Sequence, residues 1–190
     1  MEKIIQHPGW HIITGGPSTG KTTLQDELAK LGYKTVAEAA RLQIDDAVAQ
    51  GMTAEELRED EKRFQDSVVH RRVELEGKLD PSETVILDRG MQDSLAYYRY
   101  YQFEVEAWIQ ELVDKARYGL VFLMEPLGFL KRDYARTEVN DFNDYITDLL
   151  FEAYKEYGME PIRVPAVSVP ERLEIVLQHL KSYKSPESNE

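Results

Sequence analysis

The run Gly15-Gly16-Pro17-Ser18-Thr19-Gly20-Lys21-Thr22 fits the pattern G-x-x-x-x-G-K-[ST] at every position, and it restricts the available folds more than any other part of the chain. An apolar stretch, Trp10-His11-Ile12-Ile13-Thr14, runs into it, and Leu24, Leu28 and Leu31 follow at helical spacing. Strand, glycine-rich turn and helix in that order is the setting in which the pattern binds phosphate. Gly15 and Gly20 permit backbone conformations and close approaches that a side chain would block. The N–H groups of the loop, which spans Gly15, Gly16, Pro17, Ser18, Thr19 and Gly20, then point inward at phosphate oxygens at the positive end of the helix. Lys21 reaches the β- and γ-phosphates, the Thr22 hydroxyl ligates Mg²⁺, and Thr23 completes the segment. With glycine at ~7% of residues, a chance match in a chain of this size has odds on the order of one per cent. No G-x-G-x-x-G occurs, so a dinucleotide fold has no support.

The remaining pattern alternates short apolar runs with helical ones. Strands are predicted at 10–14, 34–37, 84–87, 119–124 and 162–164. Helices are predicted at 22–31, from 38 to about 50, and at 53–79, 93–101, 104–115, 141–157 and 170–182. Gly32 sits where the first helix should end, and Thr53 with Glu56 forms a capping-box pattern. Alternation of this kind implies an α/β fold, a parallel sheet covered by helices on both faces. No repeat or interdomain linker is visible, so residues 1–183 read as one domain and 184–190, polar with a proline, as a disordered tail.

Composition removes several function classes. The chain of 190 residues carries 23 Lys and Arg against 35 Asp and Glu, a formal net charge of −12. An anionic chain without a basic run is a poor partner for nucleic acid or an anionic membrane. Cysteine is absent, which excludes disulfides, thiolate metal sites and cysteine nucleophiles. No apolar run approaches the ~18 residues of a membrane span, and the N-terminus lacks the apolar core of a signal peptide. A cytoplasmic protein is the expectation.

In an open parallel sheet, ligands bind beyond the carboxyl ends of the strands, so the residue after each predicted strand is a candidate. Asp88 closes Val85-Ile86-Leu87 in the arrangement of a carboxylate beside Mg²⁺, although Asp in this place also suits a helix cap. Arg89 is adjacent and can bridge donor and acceptor phosphates, or it is a surface ion pair. Glu38, after the second strand, is the candidate general base for an acceptor hydroxyl, and equally suits a charge at a helix start. Glu125 is a weaker candidate of that kind. Lys131, Arg132 and Arg136 form the densest basic stretch, either a lid over a triphosphate or a solvated helix face. The aromatic group Tyr97, Tyr98, Tyr100, Tyr101, Phe103 and Trp108 reads as core, with one or two rings available to an acceptor pocket. The four histidines show no metal-ligand spacing and are expected at the surface.

Several segments together resemble the NadR-type AAA-domain family of P-loop proteins, which includes the ribosylnicotinamide kinase domain and is akin to deoxynucleoside kinases. The likeness lies in the phosphate loop and in Ala37-Glu38-Ala39-Ala40-Arg41. It extends to Leu87-Asp88-Arg89-Gly90 with Asp93-Ser94-Leu95-Ala96-Tyr97, and to Val121-Phe122-Leu123 followed by Asp133, Arg136 and Thr137. The resemblance implies a P-loop NTPase three-layer sandwich with five parallel strands and a helical lid carrying Arg136. It also implies that Glu38 and Arg41 face the acceptor and that residues 165–168 lie near an adenine.

These readings predict an ATP- and Mg²⁺-dependent P-loop phosphotransferase that passes the γ-phosphoryl group to a nucleoside-like or other small hydroxyl acceptor. Lys21, Glu38, Asp88, Arg89 and Arg136 are its candidate catalytic residues, and Thr22 and Asp88 its metal ligands. The alternative is a nucleotide switch, an ATPase or GTPase acting through a partner. The chain has no N/T-K-x-D guanine reader, which points to ATP over GTP.

Overall fold

The structure, a computed structural model, describes residues 5–127 and 137–183. The elements run β1 (Ile5–His7), β2 (Trp10–Thr14), α1 (Lys21–Lys30), β3 (Lys34–Val36), α2 (Ala39–Ala49), α3 (Ala54–Leu57), α4 (Glu61–Glu76) and β4 (Val85–Asp88). They continue α5 (Met91–Tyr100), α6 (Ala107–Lys115), β5 (Ala116–Tyr118), β6 (Val121–Met124), α7 (Thr137–Glu156), β7 (Ile162–Val164) and α8 (Val169–Ser182). Five strands form one parallel sheet in the order β3-β4-β2-β6-β7. The chain leaves the central strand β2 toward one side first and returns to the other later. The crevice at the carboxyl end of β2 is therefore the topological switch point at which such sheets bind ligands.

Both faces of the sheet are covered, because successive side chains of a strand point to opposite faces. On one face Ile13, Ile86, Phe122, Met124 and Val164 meet Leu24 and Leu28 of α1 and Val176 of α8. On the other Ile12, Leu87 and Leu123 meet Leu95 of α5 and Ile146, Leu150 and Tyr154 of α7. Each such side chain contributes roughly 1.5–3 kcal/mol relative to exposure, and the result is the predicted three-layer sandwich. A third, smaller cluster of Ala39, Phe64 and Val68 attaches α2 to α4. Among the described residues, no helix is long and apolar enough to cross a membrane.

The helix α1 stops where the sequence places its end. Gly32 takes φ +94°, its N–H donates to Ala29 O at 2.9 Å, and the Tyr33 N–H donates to Leu28 O at 3.2 Å. That is a Schellman ending, which needs the left-handed conformation glycine adopts without strain.

Three local expectations are corrected. The predicted helix 53–79 is two helices: Thr53 and Glu56 do form the capping box of α3, but α3 lasts one turn. Asp60 then starts α4 by accepting from the Arg63 N–H at 3.0 Å, a second cap signal that the apolar spacing concealed. The predicted strand at 119–124 begins only at Val121; an earlier short strand, β5, pairs with β1 in a separate two-stranded sheet. His11, expected at the surface, is buried, and its Nδ1 accepts from the Leu120 N–H at 2.9 Å. Burial pushes its pKa down to about 4, so it is neutral. Arg132, Arg136 and the rest of the predicted lid, like the tail at 184–190, lie outside the described residues.

Candidate functional site

The loop between β2 and α1 is shaped by what happens to its carbonyl groups. Lys21 Nζ donates to Gly15 O at 3.1 Å and to Gly16 O at 2.8 Å. The Thr19 hydroxyl also donates to Gly16 O, at 2.9 Å. Arg172 Nη1 donates to Thr19 O at 2.5 Å. With the carbonyls turned away and held, the N–H groups of the loop are left to an anion at the start of α1. Gly15 has φ +143°, and a Cβ there would stand 2.6 Å from Met124 O, so no other residue fits. Burial lowers the Lys21 pKa to about 8, helped by Arg89 and opposed by Asp88, Glu38 and Asp93.

Parallel pairing of Ile13 with Asp88 brings the end of β4 beside the start of this loop. Asp88 is 5% exposed, and its Oδ1 has no hydrogen-bond partner. Burial pushes its pKa up to about 6 against the pull of Lys21 and Arg89. The helix-cap reading of Asp88 fails, since Gly90 occupies the N-cap position of α5.

Arg89 turns the chain from β4 into α5 in the left-handed region, φ +70°, a conformation a non-glycine residue holds only when its surroundings fix it. They do so here. The Arg89 N–H donates to Ile13 O at 3.0 Å. The next N–H, of Gly90, donates to Asp93 Oδ2 at 2.9 Å and to the Tyr154 hydroxyl at 3.0 Å. That of Met91 donates to the Tyr118 hydroxyl at 3.0 Å. The guanidinium, far from being a surface ion pair, is buried: Nε donates to Glu38 Oε1 at 2.6 Å, Nη1 donates to Asp93 Oδ1 at 3.1 Å, and the group lies 5.2 Å from the centre of the Tyr97 ring.

Glu38 occupies the N-cap position of α2 yet makes no capping bond with its side chain; its carboxylate goes to Arg89 instead. Burial pushes its pKa up, and Arg89 and Lys21 more than reverse this, so the net shift is downward and the carboxylate is ionised near neutrality.

A cleft of about 870 Å³ joins the loop, Glu38 and Arg89, whereas Asp88 is not among its lining residues. The loop residues Pro17 to Thr23, including Thr22, line it together with Glu38, Arg89 and Asp93. Ile44, Phe64, Val68, Tyr97, Tyr100 and Tyr101 also line it. The aromatic group thus divides: Tyr98 is core, as expected, whereas Tyr97, Tyr100 and Tyr101 face the cleft. Arg41 borders the cleft but is paired with Asp45 at 2.9 Å. Glu125 is not among the lining residues and pairs with Arg163 at 3.1 Å.

Two arginines escaped the sequence analysis. Arg72, buried on α4, borders the cleft and donates to Ser94 Oγ at 2.6 Å. Arg172, on α8, holds the phosphate loop. Neither belongs to a motif; the available signal for each was a charge on an otherwise inward-facing helical position.

A magnesium ion fits what is present to a limited degree. Asp88 offers an unpartnered buried carboxylate oxygen, the hard donor this ion prefers, and Thr22 is exposed at the start of α1. Lys21, Arg89 and Arg72 stand against three carboxylates, Glu38, Asp88 and Asp93, so the charges balance and magnesium would enter with the negative charge of its phosphates. Among the described residues, no group of three or more His, Asp or Glu side chains could hold a metal. Most ligands would therefore come from phosphate oxygens and water, as is usual for magnesium in nucleotide sites.

Comparison with known proteins agrees with this geometry. The family model described as an AAA domain matches residues 10–172. Among solved structures, the NadR protein in complex with NR superposes with a TM-score of 0.68 at 17% identity, over 92% of this chain and 50% of that one. The present chain thus spans half the length of NadR. Thymidylate kinase from Candida albicans superposes with a TM-score of 0.64 at 14% identity, covering 91% of each chain. Deoxyadenosine kinase from M. mycoides, solved with dCMP, gives 0.60 at 17% identity over 91% of this chain and 98% of that one. No curated protein matches by sequence. The fold is the parallel P-loop sandwich of these kinases.

Proposed function

We propose that this chain, which belongs to the AAA domain family, is a small-molecule kinase that transfers the γ-phosphoryl group of ATP, with Mg²⁺, to a hydroxyl of a nucleoside-like acceptor. In this reading the amides from Gly16 to Gly20 and the Lys21 ammonium hold the triphosphate, with Gly15, Pro17, Thr22 and Thr23 shaping the same segment. Thr22, and Asp88 through water, would hold magnesium, which when bound neutralises charge on the β- and γ-phosphates. The acceptor would lie against the aromatic lining of the cleft, its hydroxyl toward Glu38. Glu38 takes the hydroxyl proton as the oxygen attacks phosphorus, and Arg89 carries charge that develops on the transferring group. Arg136 would add a further cation from the lid.

The observation that carries the reading is the bond from Arg89 to Glu38 at 2.6 Å, made across 51 positions of sequence inside a cleft that begins at the phosphate loop. A switch that only binds and hydrolyses nucleotide has no need of an aromatic compartment beyond such a pair. The kinase neighbours of the fold support the same class.

The test is a panel of nucleosides and other small alcohols incubated with Mg·ATP and scored for acceptor-dependent ADP release. The wild type should phosphorylate at least one. Glu38→Gln should lose roughly 10²- to 10⁴-fold in turnover while binding ATP as before, and Lys21→Ala should bind ATP poorly. ADP release that no acceptor accelerates, unchanged in Glu38→Gln, would reject the kinase in favour of a nucleotide switch.

A further inference from the structure

We infer that Arg172 is a positioning residue for nucleotide binding: one guanidinium, from the N-terminal turn of α8, sets the phosphate loop and the two loops that leave β6 and β7 against each other. The inference rests on the kinase reading for its ligand, a nucleoside triphosphate, and makes the grip on the phosphates depend on a helix some 150 residues downstream.

The side chain is 3% exposed. Nη1 donates to Thr19 O at 2.5 Å, Nε to Pro165 O at 2.8 Å and Nη2 to Glu125 O at 3.3 Å. These carbonyls belong to the segments that follow β2, β7 and β6, all at the carboxyl edge of the sheet. A trans peptide is planar, with its C=O and N–H pointing opposite ways. Drawing Thr19 O toward α8 therefore directs the Gly20 N–H away from α8, at the residue that opens α1 and lines the cleft.

Arg172 is itself well placed. Ser168 and Glu171 close a capping box at the start of α8, the Ser168 N–H donating to Glu171 Oε2 at 3.0 Å. The Arg172 N–H continues the turn to Ser168 O at 3.0 Å.

A neutral donor would suffice for a simple tether. A buried cation bonded to carbonyl groups is costly to keep: burial lowers the Arg172 pKa, and the nearby Glu125 carboxylate opposes this. Its charge sits directly behind a loop whose proposed ligand is an anion, where it adds to the attraction. The arrangement also survives ligand entry. Lys21 has to release at least one of the Gly15 and Gly16 carbonyls to reach a phosphate, whereas the hold of Arg172 on Thr19 O lies on the far side of the peptide.

The experiment starts with the wild type. Amide hydrogen exchange is followed with Mg²⁺ and inorganic tripolyphosphate, a probe with no base or sugar. Protection should appear at 15–24 and also at 125–127 and 165–173. Protection confined to 15–24 overturns the inference. If neither tripolyphosphate nor Mg·ATP binds at all, the phosphate-loop reading itself has failed, a different result.

In the second arm, Arg172→Met should raise the ATP dissociation constant 10-fold or more, with Arg172→Lys intermediate. KM for the acceptor should stay within about twofold, and Arg172→Ala should regain ATP binding in millimolar guanidinium chloride but not in equal sodium chloride. ATP binding by Arg172→Met at the wild-type level, or equal rises in both KM values, refutes the role. Should these variants not fold, the exchange pattern of the wild type decides.

Discussion

Replacing Lys21 with methionine should make the nucleotide-free protein more stable while destroying its ability to bind ATP. The ammonium lies buried beside Arg89, and its pKa falls from 10.5 to about 8. That drop corresponds to about 3 kcal/mol of unfavourable charging in the folded state at neutral pH. Methionine keeps the stem and removes the charge. Part of the gain is returned, because Asp88, Glu38 and Asp93 lose a nearby cation and the Gly15 and Gly16 carbonyls lose a donor. A net gain of about 1–2 kcal/mol remains, equivalent to roughly 4 °C in melting temperature for a chain of this size.

The pH dependence provides an internal check. Between about 8 and 10.5 the unfolded chain holds a proton that the folded one has released, so wild-type stability rises with pH and the gap to Lys21→Met narrows. Thermal melts at pH 7 and 10 measure both effects. Saturating Mg·ATP should invert the order, since ligand at 100 times its dissociation constant adds about 2.7 kcal/mol to the wild type alone. A variant that melts below the wild type at pH 7 without nucleotide would refute the account of Lys21 as a charge held at a cost.

Glu76 offers a parallel case of opposite sign. Burial raises its pKa to about 7 from 4.5, against Arg72 and the Tyr118 hydroxyl. Wild-type stability should therefore fall as pH rises through that window, and Glu76→Gln should exceed it by about 2 kcal/mol at pH 8 and match it near pH 4.5 in urea titrations. Asp60→Ala removes the cap of α4 and should cost about 1 kcal/mol, read from the same titrations.

The phosphate loop was legible because its chemistry is written in consecutive residues and depends on backbone, which glycine placement reveals. The place of Asp88 and Arg89 at the sheet edge could be read because an apolar run fixes where a strand ends. The place of Glu38 after a strand follows from the same logic, but its partner does not: nothing in sequence says that residue 38 meets residue 89. Arg172 was invisible because it binds carbonyls, which every residue carries, so no complementary residue type marks the contact. The break between α3 and α4 was missed since Leu57, Phe64 and Val68 keep helical spacing across it, although Asp60 marked the restart. Only the structure separates the tyrosines, as Tyr97 and Tyr98 differ by 100° around a helix that has core on one side and a cleft on the other.

The clusters that hold the two faces of the sheet are large, whereas α2 buries only Ala39 and joins α4 through a patch with just three fully buried members. The wall that α2 contributes to the cleft is therefore lightly fastened. Substitutions there disturb little of the scaffold, so the lining of the cleft can be recast while the loop after β2 and both faces of the sheet stay unchanged.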